Sequence, residues 1–207
     1  AQIAGESAEL FRVLLAEAPL ADSVKYMEQI GSSLMIVGHN RISQGDYAEG
    51  LKYSLEALKI KEQLRDKKGM ADLQYNIGNI HVNLRNFDDA LKYYGDAMRN
   101  YIEAGLPGEL SWIHNGFGYA YAELGRYEEA LYHCNEGMKQ AKMAGDDNLL
   151  AEFNTVIGTV MERKNNYPEA LQHYEKALDL YVTTGIKEQI PLANNNIALV
   201  HMKMKSF

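Results

Sequence analysis

Two stretches of the chain, forty residues apart, decide its fold: residues 73–98 read LQYNIGNIHVNLRNFDDALKYYGDAM, and residues 113–138 read IHNGFGYAYAELGRYEEALYHCNEGM. Each stretch has a glycine in its sixth place, then an aromatic residue after a short polar segment, then an alanine–leucine pair. Self-similarity at a fixed period is the sequence signature of repeat architectures. The chain is therefore predicted to consist of copies of one structural unit.

The same columns continue on both sides of these stretches. A glycine, an aromatic residue and a leucine each recur every forty residues: Gly38, Gly78, Gly118 and Gly158, with Ala198 in the fifth place; Tyr47, Phe87, Tyr127, Tyr167 and Phe207; Leu51, Leu91, Leu131 and Leu171. The shared register indicates units near 31–70, 71–110, 111–150 and 151–190, with a truncated unit at 191–207. Residues 1–22 lie outside this register, and Glu6 to Ala18 are predicted to form a helix that is either a cap or the remnant of an upstream repeat.

The apolar spacing within a unit is that of a helical hairpin. Leu73, Ile77, Ile80 and Leu84 follow the i, i+4, i+7, i+11 spacing of one buried helix stripe. A second apolar stripe at 90–98 follows a short polar turn, and glycines at 105, 145 and 185 stand where a helix should stop. Small residues in the 78, 118 and 158 column allow paired helices to approach closely. The sequence predicts an all-α solenoid in which each hairpin buries its apolar face on its neighbours.

These residues resemble the tetratricopeptide repeats, whose signature joins Leu-Gly-x-x-Tyr to Ala-x-x-x-Phe. The matching segments are Ile77-Gly78-x-x-His81 with Ala90-x-x-x-Tyr94, Phe117-Gly118-x-x-Tyr121 with Ala130-x-x-x-Cys134, and Ile157-Gly158-x-x-Met161 with Ala170-x-x-x-Tyr174. The forty-residue unit is similar to the long-repeat subclass of kinesin light chains, cell-polarity adaptors and bacterial peptide-sensing regulators. The resemblance implies a right-handed superhelical solenoid of antiparallel hairpins, four repeats plus a half repeat, over residues 23–207.

Composition and charge exclude several classes of protein. Of the 207 residues, 46% are hydrophobic and 24% are charged, which suits a chain with a sizeable core. A formal net charge of −7 disfavours binding to nucleic acid or to an anionic membrane. No stretch approaches the ~20 apolar residues of a membrane-spanning helix. A single cysteine, Cys134, fits a reducing compartment. The sequence thus predicts a soluble, cytoplasmic protein.

No residue pattern indicates catalysis, a metal or a cofactor. Gly116-Phe117-Gly118 imitates the start of a dinucleotide-binding loop, but it lies in a predicted helix with no strand before it. The six histidines show no local metal-ligand spacing. His81 and His201 share one repeat column and His133 and His173 another, which favours packing or a solvated face over metal ligation. Cys134 replaces an aromatic residue of the buried face, which indicates an inert thiol. We predict no catalytic residue, no metal and no cofactor.

The resemblance instead implies binding on the first helix of each hairpin, which lines the groove of tetratricopeptide proteins. Asn76, Asn79 and Asn83 are spaced i, i+3, i+7 along one line of such a helix. Asparagine is a poor helix former, and its carboxamide can pair with a peptide backbone; long-repeat relatives commonly use asparagines on this face in that way. Alternatively, these asparagines only satisfy neighbouring turns. The candidate peptide-binding residues are Tyr75, Asn76, Asn79, Asn83, Trp112, Asn115, Tyr119, Arg163, Asn195 and Asn196.

Three functions follow as alternatives. The first is a non-catalytic interaction module that binds a peptide or partner helix in the groove. The second is a sensory or regulatory domain of a larger, bacterial signalling protein. The third is a scaffold that self-associates through exposed solenoid ends, above all through the C-terminal half repeat. The groove lacks the basic clamp with which some relatives capture acidic chaperone tails, since the matching slots hold Met35, Tyr75, Asn115 and Thr155. We therefore expect no strong demand for a free carboxylate in the ligand.

Overall fold

The computed structural model describes residues 20–205, and every regular element in that range is helical. The helices are α1 Leu20–Ser43, α2 Tyr47–Gln63, α3 Lys67–Asn83, α4 Phe87–Glu103, α5 Leu110–Glu123, α6 Tyr127–Ala144, α7 Asp147–Arg163, α8 Tyr167–Thr184 and α9 Ile190–Lys205, with a 3-10 turn at Pro107–Glu109 before α5. The all-α prediction is confirmed for these residues. The helix predicted from Glu6 to Ala18, and Phe207, lie outside them.

Consecutive helices pack as hairpins: α1 with α2, α3 with α4, α5 with α6 and α7 with α8, followed by α9 against α8. The chain divides into two compact units at Pro107. The N-terminal unit contains α1 to α4 and the C-terminal unit contains α5 to α9. Within residues 20–205, no helix is both long and apolar enough to span a membrane.

The turns between helices share one backbone feature. A residue with positive φ occurs every twenty positions, at Gly45, Arg65, Arg85, Gly105, Gly125, Gly145, Asn165 and Gly185. The φ of the three predicted helix-ending glycines, at 105, 145 and 185, lies between 69° and 76°, in the region that glycine adopts without steric strain. Asp46, Asp66 and Asp146 then begin the next helix by accepting a hydrogen bond from a backbone N–H three residues on.

The glycine column allows the close approach that the sequence predicts. A Cβ on Gly78 would lie 2.5 Å from the ring of Tyr94, and one on Gly158 would lie 2.7 Å from the ring of Tyr174. A Cβ on Gly118 would lie 2.7 Å from the Sγ of Cys134, which takes the place of those tyrosines in the third hairpin. Cys134 is completely buried, and burial raises the pKa of its thiol to about 12. The thiol is therefore unreactive at neutral pH.

Each unit has its own apolar core on the faces between hairpins. In the N-terminal unit the core includes Ile30, Leu34, Ala57, Leu58, Leu73 and Ile77, and in the C-terminal unit it includes Ala130, Cys134, Leu149, Phe153, Val156, Ile157 and Val160. One member of the predicted stripe is placed differently: Leu84 is 41% exposed because it is the residue that ends α3, beyond the last packed turn.

Candidate functional site

A cleft of about 490 Å³ lies between α1 and α3 of the N-terminal unit. Its lining comprises Met35, Ile36, His39, Asn40 and Ile42 of α1, Ser54 of α2, and Leu73, Asn76, Asn79, Ile80 and Asn83 of α3. The buried residues Leu73, Ile80 and Ser54 form the floor, whereas His39, Asn76 and Asn83 are exposed at the rim. The structure therefore brings the three predicted asparagines together above an apolar floor. The contribution of Ile36, Asn40 and Ile42 was not predicted from the sequence, because it depends on how α1 lies against α3.

The three asparagines differ in what they already bind. The Oδ1 atom of Asn79 accepts a hydrogen bond from the hydroxyl of Tyr94 at 2.7 Å. The Nδ2 atom of Asn83 donates to the backbone oxygen of Asn79 at 2.9 Å. The side-chain amide of Asn76 makes no hydrogen bond to any of residues 20–205. The alternative in which asparagines satisfy neighbouring groups thus applies to one atom of Asn79 and one of Asn83, and it does not account for Asn76.

Tyr75 lies beside the cleft and does not line it. The side chain is half-buried, and the centroid of its ring is 5.8 Å from that of Tyr94. The tyrosine that fixes Asn79 therefore also contacts Tyr75. Tyr75 thus packs against the tyrosine that bonds Asn79, and its part in peptide binding stays a prediction.

The predicted residues of the C-terminal unit lie on α5, α7 and α9. Trp112 and Tyr119 are 38% and 44% exposed on α5. Between them along the helix, Asn115 donates its Nδ2 to the Oε2 of Glu152 on α7, while its Oδ1 is buried without a partner. Burial raises the pKa of the Glu152 carboxyl, the hydrogen bond from Asn115 opposes this, and nearby Asp146 adds to the rise.

The remaining predicted residues lie on α7 and α9. The guanidinium of Arg163 donates to the backbone oxygen of Ala122 and pairs with the carboxylate of Glu123, so it already links α7 to α5. Asn195 is exposed and Asn196 is half-buried on α9. The structure thus gives Arg163 a cross-helix bonding role, while both α9 asparagines remain on an accessible face.

A buried histidine pair is the main feature of the C-terminal unit that sequence reasoning missed. The Nδ1 atoms of His114 and His133 lie 2.9 Å apart, and the ring of His133 stacks on Phe117 with centroids 4.4 Å apart. Burial and the neighbouring His114 lower the pKa of His133 to about 4, and burial also lowers the pKa of His114. No group of three or more metal-ligating side chains occurs among residues 20–205.

A signal for this pair was present in the repeat. His173 and Asn154 stand one repeat further along and make the equivalent contact, Nδ1 to Oδ1, at 2.9 Å. In each pair the two residues are nineteen positions apart, and their contact joins the two helices of one hairpin. His133 and His173 share a repeat column, but the cross-helix partner of each could be found only by comparing columns with one another.

The fold defines a helical-repeat protein, and its N-terminal unit has a cleft on the first-helix face. A model of the tetratricopeptide repeat family matches residues 29–103 and 109–181. The chain belongs to the tetratricopeptide repeat family. A comparison with curated proteins finds no significant match.

Solved structures with the same fold include NprR, RapI and an aspartyl phosphate phosphatase. NprR in complex with its cognate peptide NprX is 19% identical, with 99% of this chain and 63% of that chain covered and a TM-score of 0.72. The apo form of RapI is 17% identical, with coverages of 99% and 76% and a TM-score of 0.66. Aspartyl phosphate phosphatase F from Bacillus subtilis is 15% identical, with coverages of 97% and 60% and a TM-score of 0.60. The chain thus spans less than two thirds of NprR and of the phosphatase, and the likeness shows a shared fold.

Proposed function

We propose that the chain is a non-catalytic protein-interaction module that binds an extended peptide segment in the cleft between α1 and α3. The observation that carries this proposal is Asn76. Its amide stands exposed at the rim, above buried Leu73 and Ile80, and makes no hydrogen bond to any described residue. A polar group so placed is a donor and an acceptor for a peptide bond.

The dimensions of the cleft suit a short piece of extended chain. Ligand pockets in proteins usually enclose about 300–1,000 Å³, and this cleft of about 490 Å³ falls within that range. Asn76 and Asn79 are one helical turn apart, so their Cβ atoms are separated by roughly 5–6 Å. Two residues of an extended peptide span about 6.6 Å. The two amides can therefore pair with peptide groups two residues apart in the ligand while an apolar side chain of the ligand enters the floor.

The charge of the lining residues further restricts the class of ligand that the cleft can bind. No lysine, arginine, aspartate or glutamate is among its lining residues. A charged group buried there would lose its hydration without gaining a counterion. The segment held in this cleft is therefore apolar or uncharged, in agreement with the absence of the basic clamp that binds acidic tails.

The comparisons support a peptide ligand. NprR, with which the chain shares its fold, was solved with its cognate peptide. A sensory or regulatory domain that responds to a peptide, the second alternative drawn from the sequence, is compatible with this proposal.

The proposal is tested by selecting a random-peptide display library against the chain. Enrichment is then repeated with Asn76→Ala, a change that removes no internal hydrogen bond, and with Asn135→Ala, an exposed asparagine of α6, as the matched control. We expect peptides that are enriched on the unmodified chain and on the control, and are depleted on Asn76→Ala. Equal enrichment on all three, or no enrichment at all, would reject the cleft as the binding site.

Self-association through α9 is a second candidate, favoured by one observation. Leu192, Leu199, Met202 and Met204 of this helix are 41% to 66% exposed, which is unusual for apolar side chains on one short helix. Light scattering over a hundredfold range of concentration tests it. The second candidate is supported if the mass of the unmodified chain rises with concentration and the Leu199→Lys/Met202→Lys variant stays a monomer. A constant monomer mass for the unmodified chain dismisses it.

A further inference from the structure

The carboxylates on the first helices of the hairpins differ in their partners. Asp72 pairs with Lys68, Glu123 with Arg163, and Glu162 with Lys203. Glu152 on α7 forms no ion pair with any lysine or arginine in the described part of the chain. Its recorded partner is the neutral amide of Asn115. The carboxylate is therefore left without a positive counterpart.

The surroundings of Glu152 make its uncompensated negative charge unfavourable. The side chain is half-buried, and its burial disfavours the charged form, as the raised pKa of the carboxyl reflects. Asp146 adds further negative potential. Removing a charge from water is unfavourable unless an opposite charge compensates it. A cation arriving from outside would supply what the folded chain lacks at this point.

Asn115 adds a second unsatisfied acceptor. A carboxylate can only accept hydrogen bonds, so it fixes the Nδ2 of Asn115 towards Glu152 and turns the Oδ1 away. That oxygen is buried and has no donor among residues 20–205. The carboxylate of Glu152 keeps accepting capacity beyond its bond from Asn115, and an ammonium or guanidinium group offers three or more N–H donors and a positive charge.

Two aromatic side chains flank this pair along α5. Trp112 stands three residues before Asn115 and Tyr119 stands four residues after it, so all three lie on one face of the helix. Both rings are more than a third exposed. Lysine and arginine side chains bind favourably over aromatic faces, and arginine does so more often. The apolar stem of such a side chain can pack on these rings while its head approaches Glu152.

We propose that Asn115 and Glu152, flanked by Trp112 and Tyr119, form a subsite of the C-terminal unit for the lysine or arginine side chain of a peptide ligand. This inference rests on the proposed function, because it takes the ligand to be a peptide. It adds a charge preference that is absent from the uncharged cleft of the N-terminal unit.

The test uses peptides enriched on the unmodified chain, synthesised with and without their basic residue. Norleucine replaces lysine, and citrulline replaces arginine, so that length is kept and charge is removed. We expect the replacement to weaken binding to the unmodified chain tenfold or more. In the variant Glu152→Gln, which keeps an acceptor for Asn115, both forms of the peptide should bind with equal affinity. Glu175→Gln, at an exposed position of α8, is the matched control and should keep the full preference.

The outcomes separate this inference from the proposed function. Peptides without an enriched lysine or arginine, or a charge preference that survives Glu152→Gln, would overturn the subsite. The peptide-binding proposal would then still stand if Asn76→Ala reduced binding. Failure to enrich any peptide would overturn both. A thermal melt of Glu152→Gln that matches the unmodified chain excludes misfolding as the cause of a lost preference.

Discussion

The hydroxyl of Tyr94 donates a hydrogen bond to the Oδ1 of Asn79 at 2.7 Å. This bond joins the buried second helix of a hairpin to the rim of the cleft on its first helix. Tyr94 is almost fully buried, and its ring is the group that Gly78 admits by having no side chain. The packing of the repeat and the orientation of a candidate binding residue are therefore set by the same tyrosine.

Tyr94→Phe should remove this hydrogen bond and leave the packing of the ring intact. We expect a loss of about 1 kcal/mol in the free energy of unfolding, the usual net value of one hydrogen bond. Peptide affinity should fall severalfold, because the amide of Asn79 loses its fixed orientation. Urea unfolding and peptide titration measure the two effects. Tyr132→Phe, in which the exposed ring of α6 loses its hydroxyl, should change neither quantity; an equal effect of both substitutions would contradict the assignment.

Gly78→Ala should destabilise the chain although alanine is the better helix former. The new Cβ would lie 2.5 Å from the ring of Tyr94, and overpacking of this kind costs typically 1–3 kcal/mol. Gly95→Ala is the matched control, since nothing lies within 4 Å of its added Cβ, and it should be stabilising by roughly 0.5–1 kcal/mol. Opposite signs of the two changes in urea unfolding support the close approach of α3 and α4; two stabilising changes would refute it.

The repeat made the hairpins, their turns and the glycine contacts predictable from the sequence. Each depends on spacing along one helix and on a steric rule, and both can be read from residue numbers. The line of Asn76, Asn79 and Asn83 was predictable for the same reason. Which atoms of those amides are already engaged was not, because the hydroxyl of Tyr94 comes from another helix.

Contacts with other helices, and the point at which a helix ends, account for the remaining differences between the sequence predictions and the structure. Arg163 is predicted from the sequence as a peptide-binding residue, and the structure adds that it bonds Glu123 forty residues earlier, in the preceding hairpin. Leu84 fits the apolar stripe but falls at the end of α3. Side-chain contacts between helices depend on how the helices are packed, and a single column of the repeat does not contain that information.

Acid should destabilise the chain through its buried histidine pair. Burial lowers the pKa of His133 to about 4, whereas an unfolded histidine titrates near 6.5. The unfolded state therefore binds more protons between these values, and stability is lost as the pH falls from about 6.5 towards 4. Glu152 contributes with the opposite sign, because the pKa of its carboxyl is raised in the folded state.

A comparison of variants isolates the contribution of the histidine. His133→Tyr introduces the residue found in the same column at Tyr93 and does not titrate in this range. Its melting temperature should fall less between pH 7 and pH 5 than that of the unmodified chain. Asn135→Ala, at an exposed position of α6 without a titratable group, should leave the pH dependence unchanged. Identical pH profiles for His133→Tyr and the unmodified chain would show that the pair does not titrate as described.

The most direct test of the peptide cleft is a calorimetric titration of one display-selected peptide into the unmodified chain, Asn76→Ala and Asn135→Ala. Loss of hydrogen bonds at a desolvated interface costs ~1–3 kcal/mol, so the dissociation constant for Asn76→Ala should rise roughly tenfold or more. The value for Asn135→Ala should equal that of the unmodified chain. A peptide that binds all three proteins with the same affinity would contradict the claim that the cleft between α1 and α3 is the binding site.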